Sequence, residues 1–397
     1  MINAVVVDAV RTASGKGKPG GALSNEHPVD LLASVLTALV ERNGLDPARI
    51  DDVIGGCVTQ AGEQAVNVTR NAVLAAGFPE TVPATTVDRQ CGSSQQAAAF
   101  AAQGVMAGSY DIVIAAGVES MSRAPMFSAI HGRDVYGTKV AGRYPEGLIT
   151  QGLSAEVIAS RWGLRREDLD GLAARSHRLA AETTDEGGFD HEVVPVRVPG
   201  SGGVSVVHRV DETIRRGTTV DTLATLKPAF ANDPAGARFP EIGWSITAGN
   251  SSPLTDGAAA VLIMSEAAAR SLNLTPRALF RSFAVTGDDP VLMLTGIIPA
   301  TRKVLDRAGL SIADIDAYEV NEAFASVPLA WLKDLRADPD RLNQHGGAIA
   351  LGHALGASGA RLLTTLIATL EKTGGRYGLQ TMCEGGGMAN ATIIERL

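Results

Sequence analysis

Cysteines, basic blocks and long apolar runs are all scarce in this sequence of 397 residues. The three cysteines are an odd number and none has a CxxC spacing, which argues against a disulfide framework or structural zinc site and favours a reducing cytoplasm. Lys and Arg number 35 against 43 Asp and Glu. The net charge of −8, without a basic block, argues against a nucleic-acid or anionic membrane partner.

No apolar run reaches the roughly 18 residues that a membrane-spanning helix needs. The chain opens with a strand pattern over residues 2–8 rather than with a signal peptide. Small and apolar residues are abundant instead, with 44 glycines, 45 % apolar residues and only 4 % aromatic residues. This composition indicates a tightly packed α/β protein, and the length predicts two to three domain-sized units.

Cys91 lies where a predicted strand meets a predicted helix. The β-branched run before it indicates a strand, and Ser93 and Ser94, followed by the Ala-rich segment 97–106, indicate the start of a buried helix. Unpaired N–H groups at a helix start favour a thiolate and can hold an oxyanion, which makes Cys91 a candidate nucleophile. A small buried apolar cysteine is the alternative interpretation.

The remaining pattern predicts alternating helices and strands on either side of a different middle segment. From residue 121 to about 246 the chain is richer in charge, Gly and Pro, and we interpret this segment as an inserted loop or lid domain. The predicted elements are a helix at 28–42, a strand at 51–55, a helix at 67–76, a strand at 110–117, one helical region at 154–184 and a strand at 258–264.

The second half of the sequence repeats the first at an offset of 265 residues. Segment 41–51 aligns with 306–316 without a gap, and the same offset carries Cys91 to Gly356, in a Gly/Ser junction that opens another apolar helix. Duplicated α/β halves usually pack about a pseudo-twofold axis, so the two helix starts should face one region. On this reasoning His353 should lie within hydrogen-bonding distance of the Cys91 thiol.

Three further side chains are candidates to act with Cys91. His353 could remove the thiol proton, Cys383 could serve as a base before a triple-Gly turn, and Asn321 could fix a water at the carboxyl end of a strand. Each has a plainer alternative. These are a structural histidine, a small buried residue at a strand end, and a helix cap.

The sequence resembles the thiolases, the acyl-CoA acetyltransferases, in blocks spread from end to end. The blocks lie around Cys91 and at 247–260, 321–324, 346–353 and 383–385, in the family's order and spacing. The amino-acid sequence of the last third of the chain is most similar to those of bacterial degradative thiolases.

The resemblance implies a division of the α/β chain into two duplicated halves with an inserted loop domain, in a thiolase-like five-layer αβαβα fold. Residues 1–120 and 247–270 would form the first half, residues 121–246 the inserted domain, and residues 271–397 the second half.

The resemblance also implies a ping-pong acyl transfer in which coenzyme A and acyl-CoA are substrates, with no permanently bound cofactor and no metal. Cys91 would attack the 3-keto carbonyl of a 3-oxoacyl-CoA, His353 would deprotonate Cys91, and Cys383 would exchange a proton with the acetyl α-carbon. One oxyanion would lie against His353 and a water held by Asn321. The other would be held by the N–H groups of Cys91 and Gly385.

Contacts with coenzyme A follow from the same resemblance. Ser252 is expected to contact the pantetheine arm. The tunnel around that arm should be lined by Ala248, Ala323 and Phe324, and the adenine end should meet Arg215 and Thr222. Arg215 is a sensible partner for a CoA phosphate, and a solvated surface arginine is an equally good interpretation of it.

The sequence departs from the family pattern at several positions. His345 stands where Asn is usual, Ala354 where Pro usually follows the histidine, and Gln151 at a Met position in the region that closes the acyl pocket. Without that proline the loop that holds His353 should be less rigid. Together with a longer segment 230–246, these changes favour an acyl group other than acetoacetyl, in fatty-acid or sterol degradation.

Other functions stay open. The first alternative is a biosynthetic acetoacetyl-CoA thiolase, and the second is a decarboxylating ketosynthase-type enzyme, whose chemistry needs no second cysteine. A non-catalytic thiolase-shaped binding protein should have lost Cys91, His353 or Cys383, and a nucleotide-binding oxidoreductase should open with GxGxxG. We expect a cytoplasmic homodimer or homotetramer that binds neither nucleic acid nor membrane.

Overall fold

The computed structural model describes residues 2–199 and 204–397. The strands in these ranges are β1 Ala4–Thr12, β2 Gly15–Lys16, β3 Asp52–Gly56, β4 Ala84–Val87, β5 Ile112–Ser120, β6 Val193–Val194, β7 Val196–Pro199, β8 Ser205–His208, β9 Thr255–Ser265, β10 Ala278–Gly287, β11 Ala317–Val320, β12 Tyr377–Glu384 and β13 Met388–Arg396. The α-helices are α1 Pro28–Arg42, α2 Val68–Ala75, α3 Ser93–Met106, α4 Gly137–Arg143, α5 Gln151–Arg161, α6 Arg166–Asp185, α7 Val220–Ala224, α8 Glu266–Ser271, α9 Ile297–Ala308, α10 Ser326–Leu335, α11 Ala348–Leu351 and α12 Ser358–Thr373.

The long strands form one continuous path in the order β4-β3-β5-β9-β1-β10-β13-β12-β11. β3 pairs in parallel with β4 and β5, and β11 pairs in parallel with β12, while the strands between them are antiparallel. β1 and β10 pair through Val5 with Leu279 and Val6 with Ala278, and this short ladder joins the two halves. Each half therefore contributes its own twisted sheet to one path.

The predicted repeat is confirmed by equivalent elements. An offset of 265 carries the first residue of α3 to the first residue of α12, and carries β3 onto β11 and β5 onto β12. The side chain of Asp51 accepts hydrogen bonds from the backbone N–H groups of residues 111 and 112 at 2.6 and 2.9 Å. Asp316 does the same for residues 376 and 377 at 2.7 and 2.9 Å. Equivalent aspartates of the two halves therefore fix the start of β5 and the start of β12.

The layers follow from which faces are apolar. α1 covers the outer face of β1, β5 and β9, and α9 covers the outer face of β10 and β13. The Ala-rich helix α3 packs against α12 between the two sheets. A Cβ at Gly359 would lie 2.1 Å from the backbone nitrogen of Gln95, so only glycine permits this approach. The order is therefore αβαβα, as the resemblance implied.

The inserted segment differs from the prediction of one helical region. Its helices α5 and α6 are separate, because Gly163 adopts a left-handed φ of +60° that ends the first helix. α5 contacts α10 and α6 contacts α11, so the segment lies on the second half of the chain. None of the helices in the described ranges is long and apolar enough to cross a lipid bilayer.

A buried ionic cluster attaches the inserted segment to the first strand. Arg11 on β1 is 1 % exposed, and its guanidinium bonds Glu192 at 2.6 Å and Asp211 at 2.8 and 3.1 Å. Asp211 also accepts a hydrogen bond from the backbone N–H of Ser14 at 2.7 Å. Removing one member of such a cluster leaves a buried charge uncompensated, which is more damaging than losing the pair as a whole.

We therefore expect Arg11→Met to lower the free energy of unfolding by about 3–5 kcal/mol, measured by chemical denaturation. The control is Arg178→Ala, which breaks the exposed pair with Glu182 on α6. That change should cost about 0.5 kcal/mol or less. Equal effects of the two substitutions would contradict the role given to the buried cluster.

Candidate active site

A tight turn delivers Cys91 to the start of α3. Gln90 has a left-handed φ of 48°, which a non-glycine residue rarely adopts, and Gly92 is the N-cap of the helix. Ser93 fastens the turn, because its hydroxyl accepts a hydrogen bond from the N–H of Arg89 at 2.9 Å and donates one to the carbonyl of Gln90 at 2.6 Å. The predicted junction of strand and helix is confirmed, with the serines inside the helix rather than at its cap.

Cys91 is 6 % exposed and lies in a small apolar cluster. The other buried members are Met121, Leu355, Leu362 and Met382. Leu355 belongs to the loop that carries His353, and Met382 directly precedes Cys383. The cluster therefore places Cys91 against the loop that carries His353, the neighbour that the repeat predicted, and against the residue before Cys383.

Burial keeps both sulfurs protonated in the resting protein. The pKa of Cys91 is raised to about 12, first by burial and then by the charge of the neighbouring Glu384. The pKa of Cys383 is also raised, first by burial and then by the charge of Cys91, which indicates that the two sulfurs are close. The backbone N–H at the helix start lowers the pKa of Cys91, as predicted, but desolvation outweighs this effect.

The hydrogen bonds around His353 assign its tautomer. The Ser358 hydroxyl donates to the carbonyl of Ala354 at 2.8 Å, so its oxygen accepts from Nδ1–H of His353 at 2.6 Å. Nε2 is then unprotonated, and the amide of Asn321 faces it at 3.4 Å. Burial, followed by the charge of Arg361, lowers the pKa of His353 to about 3, so the ring is neutral.

The predicted hydrogen bond between His353 and Cys91 is not formed. Within the described ranges, His353 bonds Ser358, Asn321 and, through its backbone N–H, Thr255 at 2.9 Å. Hydrogen bonds of this kind often form only when substrate is bound. What the fold supplies is an oriented imidazole whose Nε2 can accept a proton.

Ala354 and His345, the two departures from the family pattern near His353, have different roles in the structure. The carbonyl of Ala354 accepts hydrogen bonds from the N–H groups of Ala357 and Ser358 at 3.0 and 2.9 Å as well as from the serine hydroxyl, so the loop is braced without proline. His345 bonds Thr183 at 3.0 Å on the inserted segment rather than His353. Burial lowers the pKa of His345 to about 4.

Asn321 is buried at the end of β11, and its Oδ1 has no hydrogen-bond partner in the described part of the chain. Such an oxygen can accept a hydrogen bond from a water. The next residue, Glu322, fixes this strand end by accepting hydrogen bonds from Ser176 at 2.7 Å, Asn343 at 2.9 Å and the N–H of Ile349 at 3.2 Å. Asn321 caps no helix among the described residues, whereas Glu322 satisfies a first-turn N–H of α11.

Gly385 follows Cys383 by two residues and faces the segment before Cys91. A Cβ at Gly385 would lie 3.0 Å from Oε1 of Gln90. The next two glycines have φ values of +82° and +76° and turn the chain into β13. The turn therefore lies next to the nucleophile loop, as an oxyanion site shared by Cys91 and Gly385 requires.

Of the residues expected to bind coenzyme A, four lie on two adjoining segments. The N–H and hydroxyl of Ser252 bond the carbonyl of Ala323 at 3.0 and 3.1 Å. Ser251 forms a β-bridge with Phe324, and Leu254 forms one with His353. Ala248 is exposed in the same loop, whereas Ala323 is buried and Phe324 half-buried. This loop therefore runs from the Asn321 strand end to the histidine.

The two residues expected at the adenine end have different positions. Arg215 is exposed and lines a cleft of about 210 Å³ with Lys16, Lys18 and Leu254. The Thr222 hydroxyl takes part in the cap of α7, where it accepts from the N–H of residue 219 and donates to the carbonyl of the same residue. Its hydroxyl is therefore engaged locally.

Three residues near the sulfurs were missed as site residues. Gln151, the first residue of α5, lies close enough to the Cys91 thiol to lower its pKa, although less than burial raises it. Ser358 orients His353, and Glu384 is a buried neighbour of both sulfurs. Ser358 could have been found from the offset, which aligns it with Ser93; the contact of Gln151 has no such signal.

Comparison with known proteins decides the family. The model "Thiolase, N-terminal domain" matches residues 4–267, and "Thiolase, C-terminal domain" matches residues 274–396. The chain belongs to the thiolase family. It is thus an acyltransferase whose family uses CoA thioesters as substrates. In the two described ranges, no group of three or more His, Cys, Asp or Glu side chains is arranged to hold a metal ion.

Similar thiolases span the whole chain. A steroid 3-ketoacyl-CoA thiolase of Mycobacterium tuberculosis is 47 % identical over 405 residues, covering 100 % of this chain and 95 % of the relative. A 3-ketoacyl-CoA thiolase of Aliivibrio salmonicida is 45 % identical over 400 residues, with 100 % of both proteins covered. The solved acetyl-CoA acetyltransferase of Bacillus anthracis has a TM-score of 0.89 at 38 % identity, covering 100 % of this chain and 99 % of its own.

We expect Ser358→Ala to lower the thiolase turnover number at least about tenfold, because the tautomer and orientation of His353 are lost. The KM for CoA should not change, since Ser358 lies behind the ring. The control is Thr364→Val, which removes a buried hydroxyl that, within the described ranges, bonds only the carbonyl of Ala360 in the same helix. Unchanged turnover of the serine variant would refute the assignment of the tautomer.

Proposed function

We propose that this thiolase degrades 3-oxoacyl-CoA esters by CoA-dependent thiolytic cleavage through an acyl-enzyme on Cys91. The observation that carries the proposal is the grouping of Cys91 with Leu355, from the loop of His353, and with Met382, the residue before Cys383. Asn321 lies next to His353, and Gly385 lies next to Gln90 of the nucleophile loop. A single thiol and histidine would support acyl transfer alone. A second thiol is what the cleavage of a carbon–carbon bond adds, since this step needs a proton donor at carbon.

In the first step the Cys91 sulfur attacks the 3-keto carbonyl, and its proton passes to Nε2 of His353. Burial raises the pKa of the thiol and lowers that of the imidazole, so a resting ion pair is disfavoured. The proton therefore moves as the sulfur–carbon bond forms. The N–H groups of Cys91 and Gly385 stabilise the negative charge on the former carbonyl oxygen.

In the second step the bond between C2 and C3 breaks, and its electron pair forms the enolate of acetyl-CoA. The Cys383 thiol donates its proton to C2, which completes acetyl-CoA and leaves the acyl group as a thioester on Cys91. The enolate oxygen lies against His353 and a water on Oδ1 of Asn321. The proton held by His353 then passes to the Cys383 thiolate. CoA attacks the acyl-enzyme with its thiol proton passing to His353, and the shortened acyl-CoA leaves as that proton returns to the Cys91 sulfur.

Charge and shape support the entry of CoA along the loop 247–254. Lys16, Lys18 and Arg215 place three cationic side chains around one cleft, which suits the phosphates of CoA. Leu254, which lines this cleft, also forms a β-bridge with His353, so the cleft adjoins the histidine. The pantetheine arm then passes Ser252 and Ala248 on one side and Ala323 and Phe324 on the other, with Thr222 nearer the adenine.

The acyl pocket is shaped by the inserted segment. Phe230 packs edge-on against Phe324 with ring centroids 6.0 Å apart, and its ring occupies the space beside Gly152. Gly152 follows Gln151, whose side chain is a neighbour of the Cys91 thiol and lowers its pKa. The segment 230–246 therefore reaches the acyl site, which supports a chain other than acetoacetyl, in fatty-acid or sterol degradation.

The assembly and compartment are also proposals. β4 ends the strand order of the sheet and leads directly to Cys91, so its outer edge is open to pairing with a second copy. We expect a homodimer or homotetramer. The free cysteines 57, 91 and 383 suit the reducing cytoplasm.

We also propose the division of the chain into domains. Residues 1–120 and 247–270 form the first half, residues 121–246 form the inserted domain, and residues 271–397 form the second half.

Cysteine variants should separate the two chemical steps. Cys91→Ala should lower thiolysis about 10³-fold or more and abolish exchange of labelled CoA into acetyl-CoA. Cys383→Ala should lose thiolysis but keep that exchange, because acyl transfer needs no proton at carbon. Cys57→Ala, at a buried position outside the site, is the control and should behave like the wild type. An indifferent Cys383→Ala would favour a ketosynthase-type enzyme, and an active Cys91→Ala would refute the proposal.

Substrate preference tests the acyl pocket. Across short, long and steroid-ring 3-oxoacyl-CoA esters, kcat/KM for the best longer or ring-bearing ester should exceed that for acetoacetyl-CoA about tenfold or more. The measurement is initial-rate loss of the 3-oxoacyl-CoA. If acetoacetyl-CoA is the best substrate, the biosynthetic alternative replaces the degradative one.

A further inference from the structure

Glu384, the residue after Cys383, is a carboxyl group that the proposed mechanism does not use. It is fully buried, and neither of its oxygens has a hydrogen-bond partner within the described ranges. The group rests on the nucleophile loop, because a Cβ at Gly92 would lie 2.1 Å from Oε1 of Glu384. It thus sits against the residue that follows Cys91.

The duplicated half offers an internal comparison, because the offset of 265 aligns Glu384 with Glu119. Glu119 accepts hydrogen bonds from the backbone N–H groups of residues 58 and 59 at 2.9 and 3.0 Å and of Gly356 at 2.9 Å. Gly356 is itself the equivalent of Cys91. The corresponding donor to Glu384 would be the N–H of Cys91, and no such hydrogen bond is present among the described residues.

Charged and titratable neighbours do not compensate an ionised Glu384. Arg89 attracts the carboxylate but forms no ion pair with it in the described part of the chain, and Asp88 opposes that attraction. The remaining titratable groups that face it are the thiols of Cys91 and Cys383, and Asn390 of β13 is neutral. Burial therefore raises the pKa of Glu384 to about 8.

We infer that Glu384 is a positioning residue that holds a proton during the reaction, and that loss of this proton suppresses the two active-site thiols. Neutral Glu384 leaves the N–H of Cys91 free for the oxyanion. An ionised carboxylate here would instead raise the pKa of both Cys91 and Cys383. The oxyanion part rests on the proposed function, whereas the effect on the thiols does not.

The test is the rate of Cys91 alkylation by iodoacetamide between pH 6 and pH 10, followed by peptide mass spectrometry on the full-length protein. In the wild type the rise of the rate with pH should flatten near pH 8, where Glu384 ionises. Glu384→Gln should match the wild type at pH 6.5, rise without a break and react about tenfold faster at pH 9. Glu384→Asp, which keeps a titrating carboxyl, should restore the break.

Thermal unfolding gives a second measurement. Because folding raises the pKa of Glu384 from 4.5 to about 8, the native state binds the proton more tightly, so wild-type stability falls as pH rises through this window. The melting temperature of Glu384→Gln relative to the wild type should therefore increase from pH 5 to pH 9. A constant difference between the two proteins would contradict the inference.

The outcomes separate this inference from the proposed function. Superimposable alkylation profiles of wild type and Glu384→Gln would overturn the inference and leave the thiolase mechanism intact. Thiolysis that survives Cys91→Ala would overturn the mechanism, whatever the alkylation profiles show.

Discussion

The close approach of two equivalent helix starts is the constraint on which the site depends. α3 and α12 meet between the sheets, where a Cβ at Gly359 of α12 would lie 2.1 Å from the nitrogen of Gln95 of α3. In the loop before α12, a Cβ at Gly356 would lie 2.5 Å from the carbonyl oxygen of Val118 on β5. Any larger residue would separate the helices and move the loop of His353 away from Cys91.

Burial then sets the protonation of the site. Three groups that would be charged or reactive in water are neutral here, since burial raises the pKa values of Cys91 and Glu384 and lowers that of His353. Charge is therefore created only as bonds to substrate change, next to donors that are already in place. The oriented Nε2 of His353 and the free Oδ1 of Asn321 are the clearest examples.

Short-range patterns predicted much of this structure. Helix α1 has the bounds that its apolar face indicated, and the offset of 265 placed α12 opposite α3 because duplicated segments keep their order and faces. The break between α5 and α6 was not predicted, because a helix tolerates a single glycine. Only the structure shows that Gly163 has the left-handed φ that ends α5. The resemblance supplied the roles of Asn321 and Gly385, which no periodicity encodes.

Contacts between distant segments could not be predicted in the same way. Gln151 reaches Cys91, and Glu192 with Asp211 surrounds Arg11, only because of how the inserted segment lies on the core. The raised pKa of Cys91 could not be predicted for a related reason. The helix start was visible in the sequence, but the depth of its burial was not.

Cross-linking of the native protein with a short thiol-specific bifunctional reagent, read by peptide mass spectrometry, tests the central juxtaposition most directly. We expect the peptides of Cys91 and Cys383, one from each half, to become joined and Cys57 to stay unmodified. A link from Cys91 to Cys57, or single adducts alone, would contradict the placement of both sulfurs in one pocket.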